Sequence, residues 1–296
     1  MSDARRHLVI GANGAQGAAV VRRLLAGGHD VRGFGRRPGP HVVTGDLADP
    51  SALAAAFDGI THASVLLPLV FDAGTVRSYV RNVVDAAKAA AVTRLVLNTN
   101  TPVPREVTPY AAYETRRAAE DAVRAGGLPV VVLRPTVYLD NLDNPVTGRA
   151  LVEDGVLAYP LPPDRRVAWI SHDDLAEATV AALHRPGIEG AVVRLGGPDA
   201  LTGAELAATF GIAVGRPVTY LPLEVERFEA GLREVLGAAA AAGVAGVYRW
   251  AAQAADPDLF TSDHDEVERL LGVRMRPIAE WIAGRAWERW AATAPR

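Results

Sequence analysis

The sequence of 296 residues contains no cysteine, which excludes disulfide bonds, thiolate nucleophiles and cysteine-ligated zinc. A surplus of positive charge is also missing, because 31 Lys and Arg residues stand against 34 Asp and Glu residues. The resulting net charge of −3 gives no sign of binding to nucleic acid or to an anionic membrane. We therefore expect a small molecule, and neither nucleic acid nor membrane, as the partner.

Membrane spans and metal motifs are missing as well. The apolar stretch ASVLLPLVF (63–71) is too short to cross a bilayer and is interrupted by Pro68. The N-terminal MSDARRHLVIGANGAQG meets glycines within a few apolar residues, unlike a signal peptide. The seven histidines form no HExxH motif and no pair at metal-ligand spacing. We expect a cytoplasmic monomer or homodimer without a metal site.

Hydrophobic residues, 49% of the chain, follow an alternating pattern of strands and helices in the first half. Strand-like apolar runs occur at 7–10, 31–34, 63–67, 94–99 and 129–135, and helical patterns at 15–28, 49–57, 74–92 and 111–127. This alternation is typical of a parallel sheet with helices on both faces. We predict an α/β fold with a Rossmann-type, doubly wound parallel sheet.

A glycine motif lies between the first strand and the first helix, in HLVIGANGAQG (7–17). At such a junction Gly11 permits a tight turn, Gly14 lets a pyrophosphate approach the backbone, and Gly17 lets the helix pack on the strand. The helix N-terminus offers free N–H groups to the phosphates. A glycine-rich turn without a ligand is the alternative, but the strand–helix context favours a dinucleotide. The predicted contacts are Gly11, Asn13, Gly14, Ala15, Gln16 and Gly17.

The end of the second strand indicates which dinucleotide is bound. NAD-binding proteins usually have an acidic residue there, whereas this chain has FGRRP, in which Arg36 and Arg37 can hold a 2′-phosphate. The alternative is that the two arginines are merely solvated. Because the glycine motif already indicates a dinucleotide, we favour NADPH, whose 2′-phosphate the arginines can bind. We also assign Asp46, Leu47 and Pro135 to the cofactor site. Asp46 either contacts the adenine or caps the following helix.

The second half has a looser pattern. It holds a helix within 169–186, a strand at 190–197 and further helices from 202 onward. We predict an NADP-binding domain over residues 1–135 and a smaller, mostly helical substrate lobe over 136–296. One or more segments of this lobe are expected to return to the sheet.

In their order along the chain, the motifs resemble an atypical short-chain dehydrogenase/reductase of the NmrA-like or extended epimerase-like kind. The segments that carry the resemblance are GANGAQG, GDLADPSALAAAFDGI, RRAAEDAVRAGGLPVVVLRPTVYLDN, WISHDDLAEATVAAL, LGGPDALTGAELAATFGIAVGRPVTY and FTSDHDEVERLLGVRMRPIAEWI. The resemblance implies a Rossmann domain, a C-terminal substrate lobe and a substrate cleft between them.

The sequence departs from related reductases where these carry Ser or Thr and then Tyr-x-x-x-Lys. NTNTP follows the fifth strand, which places Asn100 at the serine position with Thr99 beside it. In YETRR, Tyr113 and Arg117 have the tyrosine–lysine spacing.

A second register is equally open. If Glu120 is aligned with the glutamate that family members carry four residues after the lysine, Ala112 takes the tyrosine position and Arg116 the lysine position. An arginine can stabilise an alkoxide by charge, but it cannot relay a proton. The candidate catalytic residues are Thr99, Asn100, Tyr113 and Arg117.

Polar residues that follow the strand 129–135 are candidates for substrate contact. Tyr138 and Asn141 lie where α/β proteins collect polar groups at their sites. The expected function is an NADPH-dependent ketone reductase for an apolar or aromatic molecule, and bacterial tailoring of aromatic polyketides is an association at the level of the family. The alternatives are an epimerase or dehydratase and a non-catalytic NADP(H)-sensing regulator.

Overall fold

A computed structural model of the protein describes residues 5–253 and 256–291. Its strands are β1 (Arg6–Ile10), β2 (Asp30–Gly35), β3 (Val42–Thr44), β4 (His62–Leu66), β5 (Arg94–Asn98), β6 (Val130–Pro135), β7 (Val156–Tyr159), β8 (Val167–Ala168), β9 (Val192–Leu195), β10 (Ala200–Leu201) and β11 (Thr219–Pro222). The central sheet has seven parallel strands in the order β3-β2-β1-β4-β5-β6-β9. The prediction of a doubly wound parallel sheet is confirmed.

Helices cover both faces of this sheet. The α-helices of the described residues are α1 (Ala15–Ala26), α2 (Pro50–Phe57), α3 (Ala73–Ala89), α4 (Ala111–Ala125), α5 (Pro145–Arg149), α6 (His172–His184), α7 (Gly203–Val214), α8 (Val225–Leu236), α9 (Ala238–Gln253), α10 (His264–Leu271) and α11 (Ile278–Ala283). Helices α2, α3 and α4 pack on one face, and α1, α6 and α10 pack on the other. All five residues of β5 are buried, as expected for a central strand between two helical layers.

A third apolar cluster lies outside the sheet and forms the core of the second half of the chain. Trp169, Trp281 and Trp287 are buried in it, and the short parallel pair β7–β11 flanks it. Helices α8 and α9 pack closely together, and α9 also contacts α4. None of the helices within the described ranges combines the length and apolar character needed to cross a membrane.

The second half also contributes to the sheet itself. The strand predicted within 190–197 is β9, which pairs in parallel with β6 from Val132 opposite Val192 to Pro135 opposite Leu195. The sheet therefore takes its last strand from a part of the chain that follows β7 and β8, which lie outside this sheet.

Candidate nucleotide and active site

A cavity of about 600 Å³ opens at the carboxyl ends of the sheet strands, where the strand order reverses between β1 and β4. Ligands of open α/β sheets bind at such a switch point. The cavity is lined by Ile10, Gly11, Asn13, Gly14, Gln16, Phe34, Gly35, Arg36, Arg37, Gly45, Asp46, Leu47, Leu66, Leu67, Pro68, Leu69, Val70, Tyr79 and Asn100. Most of the residues predicted from the glycine and arginine motifs are therefore gathered in one place.

The glycine turn has the geometry of a phosphate cradle. Gly11 has φ = +85°, and the N–H of Gly14 donates to the Gly11 carbonyl at 2.9 Å. Gly14 is the N-cap of α1, so no side chain caps the first-turn N–H groups of this helix. A Cβ on Gly17 would lie 2.2 Å from the Gly11 carbonyl oxygen, so this close packing requires glycine. Ala15 is the first residue of α1, and neither it nor Gly17 lines the cavity.

Asn13 and the two arginines form the rim of the cavity next to this turn. The Oδ1 atom of Asn13 is buried without a hydrogen-bond partner, and a Cβ on Gly35 would lie 2.6 Å from it. Arg37 donates from Nη2 to the Asn13 carbonyl at 3.3 Å. Both Arg36 and Arg37 are exposed, and neither forms a salt bridge with a described residue. The rim therefore offers two uncompensated positive charges and one unsatisfied acceptor.

The segment after β3 contributes the opposite wall. Asp46 lines the cavity, and its Oδ1 accepts from the N–H of Ala48 at 2.8 Å. Asp49, rather than Asp46, caps α2. The pKa of the Tyr79 hydroxyl is raised, mainly because of burial and then because of the neighbouring Asp46 carboxylate. Leu47 lines the cavity beside them.

Three side-chain amides form a chain of hydrogen bonds at the inner end of the cavity. The backbone N–H of Asn100 donates to Asn98 Oδ1 at 2.7 Å, and Asn98 Nδ2 donates to Gln16 Oε1 at 2.9 Å. Gln16 Nε2 then donates to Asn100 Oδ1 at 2.5 Å. Since a backbone N–H can only donate, it fixes the orientation of each amide in turn.

This arrangement leaves the amide hydrogens of Asn100 free. Its Oδ1 is used by Gln16, and no acceptor for its Nδ2 occurs among the residues the structure describes. Asn100 also has φ = +65°, a left-handed conformation in which non-glycine residues concentrate at functional sites. A donor at the cavity wall is therefore held in place by backbone and side-chain contacts.

The structure separates the two arginines of YETRR. Arg116 is buried, and its guanidinium donates to the carbonyls of Pro68 (2.7 Å) and Val70 (3.3 Å) in the cavity wall. Burial lowers the pKa of Arg116 to about 10. Arg117 lies on the other side of α4, where it pairs with Glu114 at 3.1 Å. Arg116 therefore supports the cavity, and Arg117 does not reach it.

Thr99 and Tyr113 also lie outside the cavity lining. Tyr113 is 0% exposed, and its hydroxyl donates to the Val247 carbonyl at 3.3 Å in the contact between α4 and α9. Burial raises its pKa well above the usual range, so it is poorly suited to give up a proton. The Thr99 hydroxyl is buried, and the carbonyls of Thr101 (2.7 Å) and Leu133 (3.2 Å) accept from it. Neither hydroxyl is available to a ligand in the cavity.

The residues that follow β6 lie behind the amide chain. Tyr138 is buried, its hydroxyl donates to Gln16 Oε1 at 3.0 Å, and burial raises its pKa. Asn141 donates to the Tyr159 hydroxyl at 3.1 Å in the second half of the chain. Neither of them, nor Pro135 at the end of β6, lines the cavity. Tyr138 acts on the site through Gln16.

Several residues of the site were not predicted from the sequence. These are Gly35, Gly45, Tyr79, Asn98 and the segment 66–70 after β4, whereas Arg116 was one of the two candidates for the lysine position. The segment after β4 had a usable signal, because a strand next to β1 at the switch point must end at the cavity. The roles of Asn98 and Arg116 depend on contacts between distant parts of the chain, which local patterns do not contain.

Comparison with known proteins gives a consistent result. Residues 4–282 match the NmrA-like family. A reductase from Streptomyces griseus that acts on (4-alkanoyl-5-oxo-2,5-dihydrofuran-3-yl)methyl phosphate is 31% identical over 287 residues, covering 94% of this chain and 97% of the relative. The NAD(P)H azoreductase of Xenophilus azovorans is 29% identical over 289 residues, with coverage of 94% and 97%.

Solved structures with a similar fold include a reductase. The triphenylmethane reductase of a Citrobacter species, solved in complex with NADP(H), has a TM-score of 0.76 and 23% sequence identity. The superposition covers 94% of this chain and 98% of the reductase. At this level of identity the likeness concerns the fold.

Proposed function

Because this chain belongs to the NmrA-like family, we propose that it is an NADPH-dependent reductase acting on the ketone carbonyl of a small or medium apolar or aromatic molecule. The family resemblance inferred from the motifs is confirmed by the match over residues 4–282. The protein is an oxidoreductase, as are the relatives named above. The ketone substrate is our proposal.

The residues of the cavity fit NADPH. Gly14 opens the N-terminus of α1 to a pyrophosphate, and the unsatisfied Asn13 Oδ1 is an acceptor that a bound ligand would complete. Arg36 and Arg37 lack anionic partners among the described residues, which suits a 2′-phosphate. When bound there, NADPH supplies a hydride for reduction.

The observation that carries the proposal is the free amide of Asn100 at the cavity wall. Hydride addition to a carbonyl carbon leaves an electron pair on oxygen, and a preorganised N–H donor stabilises that charge. Gln16 fixes the orientation of the amide by occupying Asn100 Oδ1, which leaves Nδ2 as a donor on a residue that lines the cavity. The chain supplies an oxyanion contact at this point rather than an acid.

Among the described residues, no lysine lines this cavity, and Tyr79 is its one tyrosine. The pKa of Tyr79 is raised, which makes it a weaker acid than an ordinary tyrosine. A positioned acid usually accelerates such a reaction by about 10²- to 10⁴-fold. If the protein does not supply this acid, the substrate has to supply the proton. A carbonyl that is hydrogen-bonded to a neighbouring phenol meets this need, because the phenol proton passes to the new alkoxide. We expect substrates of this kind.

A pair of isomeric substrates tests this mechanism. Ortho-hydroxyacetophenone holds its carbonyl in an internal hydrogen bond, and para-hydroxyacetophenone has the same atoms without that bond. We expect kcat/KM for NADPH oxidation to be about 10²-fold higher with the ortho isomer. Equal values would refute the internal donor while leaving a reductase.

The same assay separates the alternative functions. An epimerase or dehydratase needs proton transfer by the protein, and Asn100 at the cavity wall can donate a hydrogen bond but cannot transfer a proton. A sensor of NADP(H) would bind NADPH tightly and oxidise none of it with ketones, quinones or azo compounds. That outcome would replace the reductase proposal.

A further inference from the structure

We propose that His7, His29 and His184 form a binding site for one divalent transition-metal ion, with Zn²⁺ as the preferred cation. One ring nitrogen from each residue lies within 4.8 Å of the other two. The site lies at the amino end of β1, whereas the nucleotide cavity lies at the carboxyl end of the same strand. It is independent of the proposed reductase function.

His7 presents a ligand atom whose protonation state is fixed by its surroundings. The residue is 0% exposed, and its Nδ1 lies 3.1 Å from the backbone carbonyl of Asp30. Because a carbonyl only accepts, the hydrogen is on Nδ1, and Nε2 keeps its lone pair. A backbone carbonyl on the far nitrogen is the usual outer partner of a metal-bound histidine. This lone pair accepts the hydrogen of His184 Nε2, 2.7 Å away, and the His184 ring must carry its hydrogen on Nδ1 before both Nε2 atoms can bind a metal ion.

The end of helix α1 places the second ligand. Gly28 has φ = +73°, and the N–H of His29 donates to the Leu24 carbonyl at 3.1 Å, so the backbone turns back over the helix. The ring centroid of His29 lies 4.9 Å from that of His7 and 4.6 Å from that of His184. A Cβ on Gly27 would lie 2.9 Å from the His29 ring, so this glycine leaves room for it.

The spacing of the nitrogens is close to that of a tetrahedral site. With Zn–N bonds of about 2.0–2.1 Å, two ligand nitrogens lie about 3.4 Å apart. His7 and His184 must separate slightly from 2.7 Å, and the other pairs must close from at most 4.8 Å. His29 and His184 are only partly buried, so rotation of their side chains supplies both changes. Water or His62, whose ring is 5.4 Å from that of His7, takes the fourth position.

The electrostatic surroundings include favourable and opposing charges. Helices α1 and α6 both end at the cluster, and the partial negative charge of a helix C-terminus favours a cation. Arg5 and Arg94 oppose it. Arg5 is exposed and therefore screened, and Arg94 is bound to Glu189 and to the Ala182 carbonyl. Neutral imidazoles without thiolates suit Zn²⁺, Cu²⁺ or Ni²⁺ rather than Mg²⁺ or Ca²⁺.

A metal at this point would join three segments that are far apart in the sequence. His7 and His184 are separated by 177 positions, which explains why the spacing of histidines along the chain did not predict the cluster. The ion would link β1, the turn after α1 and the end of α6. Because the unfolded chain has no such site, binding of Zn²⁺ would raise the midpoint of thermal unfolding.

The test is a calorimetric titration of the full-length, tag-free protein with ZnCl₂ after treatment with a chelator. We expect one Zn²⁺ per chain and at least about a tenfold loss of affinity in His29→Gln and in His184→Gln. The matched control is His264→Gln, because His264 lies outside the cluster, at the start of α10. The control should bind Zn²⁺ and gain thermal stability like the unmodified protein.

A second measurement does not depend on the variants being folded. Zn²⁺ added to the unmodified protein should shift the ring resonances of His7, His29 and His184 in a ¹H–¹⁵N spectrum and leave that of His264 in place. The proposal is overturned if no one-to-one binding occurs. It is also overturned if both cluster variants keep full affinity, or if the shifts fall on His41, His172 or His264 instead of on the cluster.

Discussion

The side chains of Gln16 and Asn100 are joined by a hydrogen bond of 2.5 Å from Nε2 to Oδ1, across 84 positions of sequence. Gln16 belongs to the first turn of the helix that faces the phosphates, and Asn100 follows the central strand β5. The bond links the nucleotide cradle to the proposed oxyanion donor. The proposed cofactor site and the proposed carbonyl contact thus share one chain of amides.

Replacing Asn100 by glycine removes the side-chain donor but keeps the left-handed backbone conformation, so the variant tests the donor by itself. Glycine adopts φ = +65° without the penalty that a Cβ carries, and this gain offsets the loss of the hydrogen bond from Gln16, so the variant should be about as stable as the parent protein. Loss of one preorganised donor should lower kcat by about 10²-fold. Steady-state kinetics and thermal unfolding measure the two effects.

Ala91→Gly is the matched control for that variant. Ala91 has φ = +53° at the end of α3, away from the cavity lining, so the change should add stability and leave kcat unaltered. If Asn100→Gly kept kcat within a few-fold of the parent, the amide would have no part in the reaction.

Tyr113→Phe tests the tyrosine of YETRR. Its buried hydroxyl donates only to the Val247 carbonyl, so its loss should cost about 1 kcal/mol of unfolding free energy. Because the hydroxyl does not reach the cavity, kcat should stay within about threefold of the parent value. A fall of about a hundredfold with unchanged NADPH affinity would restore tyrosine as the acid.

Gly14 and Gly17 should respond differently to added side chains. A Cβ on Gly14 meets only the Gly11 carbonyl, at 3.4 Å, so Gly14→Val should fold but block the approach of the pyrophosphate. Gly17→Ala brings a Cβ to 2.2 Å from the same oxygen and should lower stability by about 1–3 kcal/mol. Chemical denaturation and titration with NADPH distinguish the two. Unchanged NADPH affinity in folded Gly14→Val would contradict a nucleotide at this loop.

The choice between cofactors should depend on Arg36 and Arg37. Each charged contact to a 2′-phosphate is worth about 1.5–3 kcal/mol, so replacing both by alanine should weaken NADPH far more than NADH. Arg227→Ala is the control, because Arg227 is an exposed arginine on α8. Equal affinities of the unmodified protein for NADPH and NADH would refute this specificity.

His172, the first residue of α6, should make the free energy of unfolding depend on pH. The pKa of His172 is lowered by burial, and the neighbouring Asp140 offsets this only in part. Below about pH 6.5, His172 is protonated in the unfolded chain more readily than in the folded protein. Protonation therefore favours unfolding, and the free energy of unfolding decreases as the pH falls. Between pH 7 and 5, we expect the unmodified protein to lose more unfolding free energy than His172→Gln, as measured by urea denaturation. If both proteins lost the same unfolding free energy over this range, His172 would not contribute to the pH dependence.

The sequence predicted those parts of the fold that are encoded locally. The strands β1 and β6 contain the short apolar runs LVI and VVVL, and the predicted helix at 15–28 ends in glycines, as α1 does. The three residues of β3, Val42–Thr44, were missed because so short a segment shows no period. The two-residue strands β8 and β10 were missed for the same reason.

For the candidate site, too, only those residues that lie within short sequence motifs were predicted. Gly11, Gly14 and the arginines of FGRRP lie within short motifs, and they line one cavity. The register of YETRR was open because one residue step turns a helix by about 100°. Only the contacts of Arg116 with the segment after β4 show which arginine faces inward.

The position of β9 has a consequence for how the protein is made. A chain that has emerged from the ribosome only as far as β6 would expose an unpaired, apolar strand edge, because the next strand of the sheet begins at Val192. Such an edge is a template for aggregation. The edge of β6 is covered only after Val192–Leu195 have been synthesised, so the sheet is completed late in synthesis.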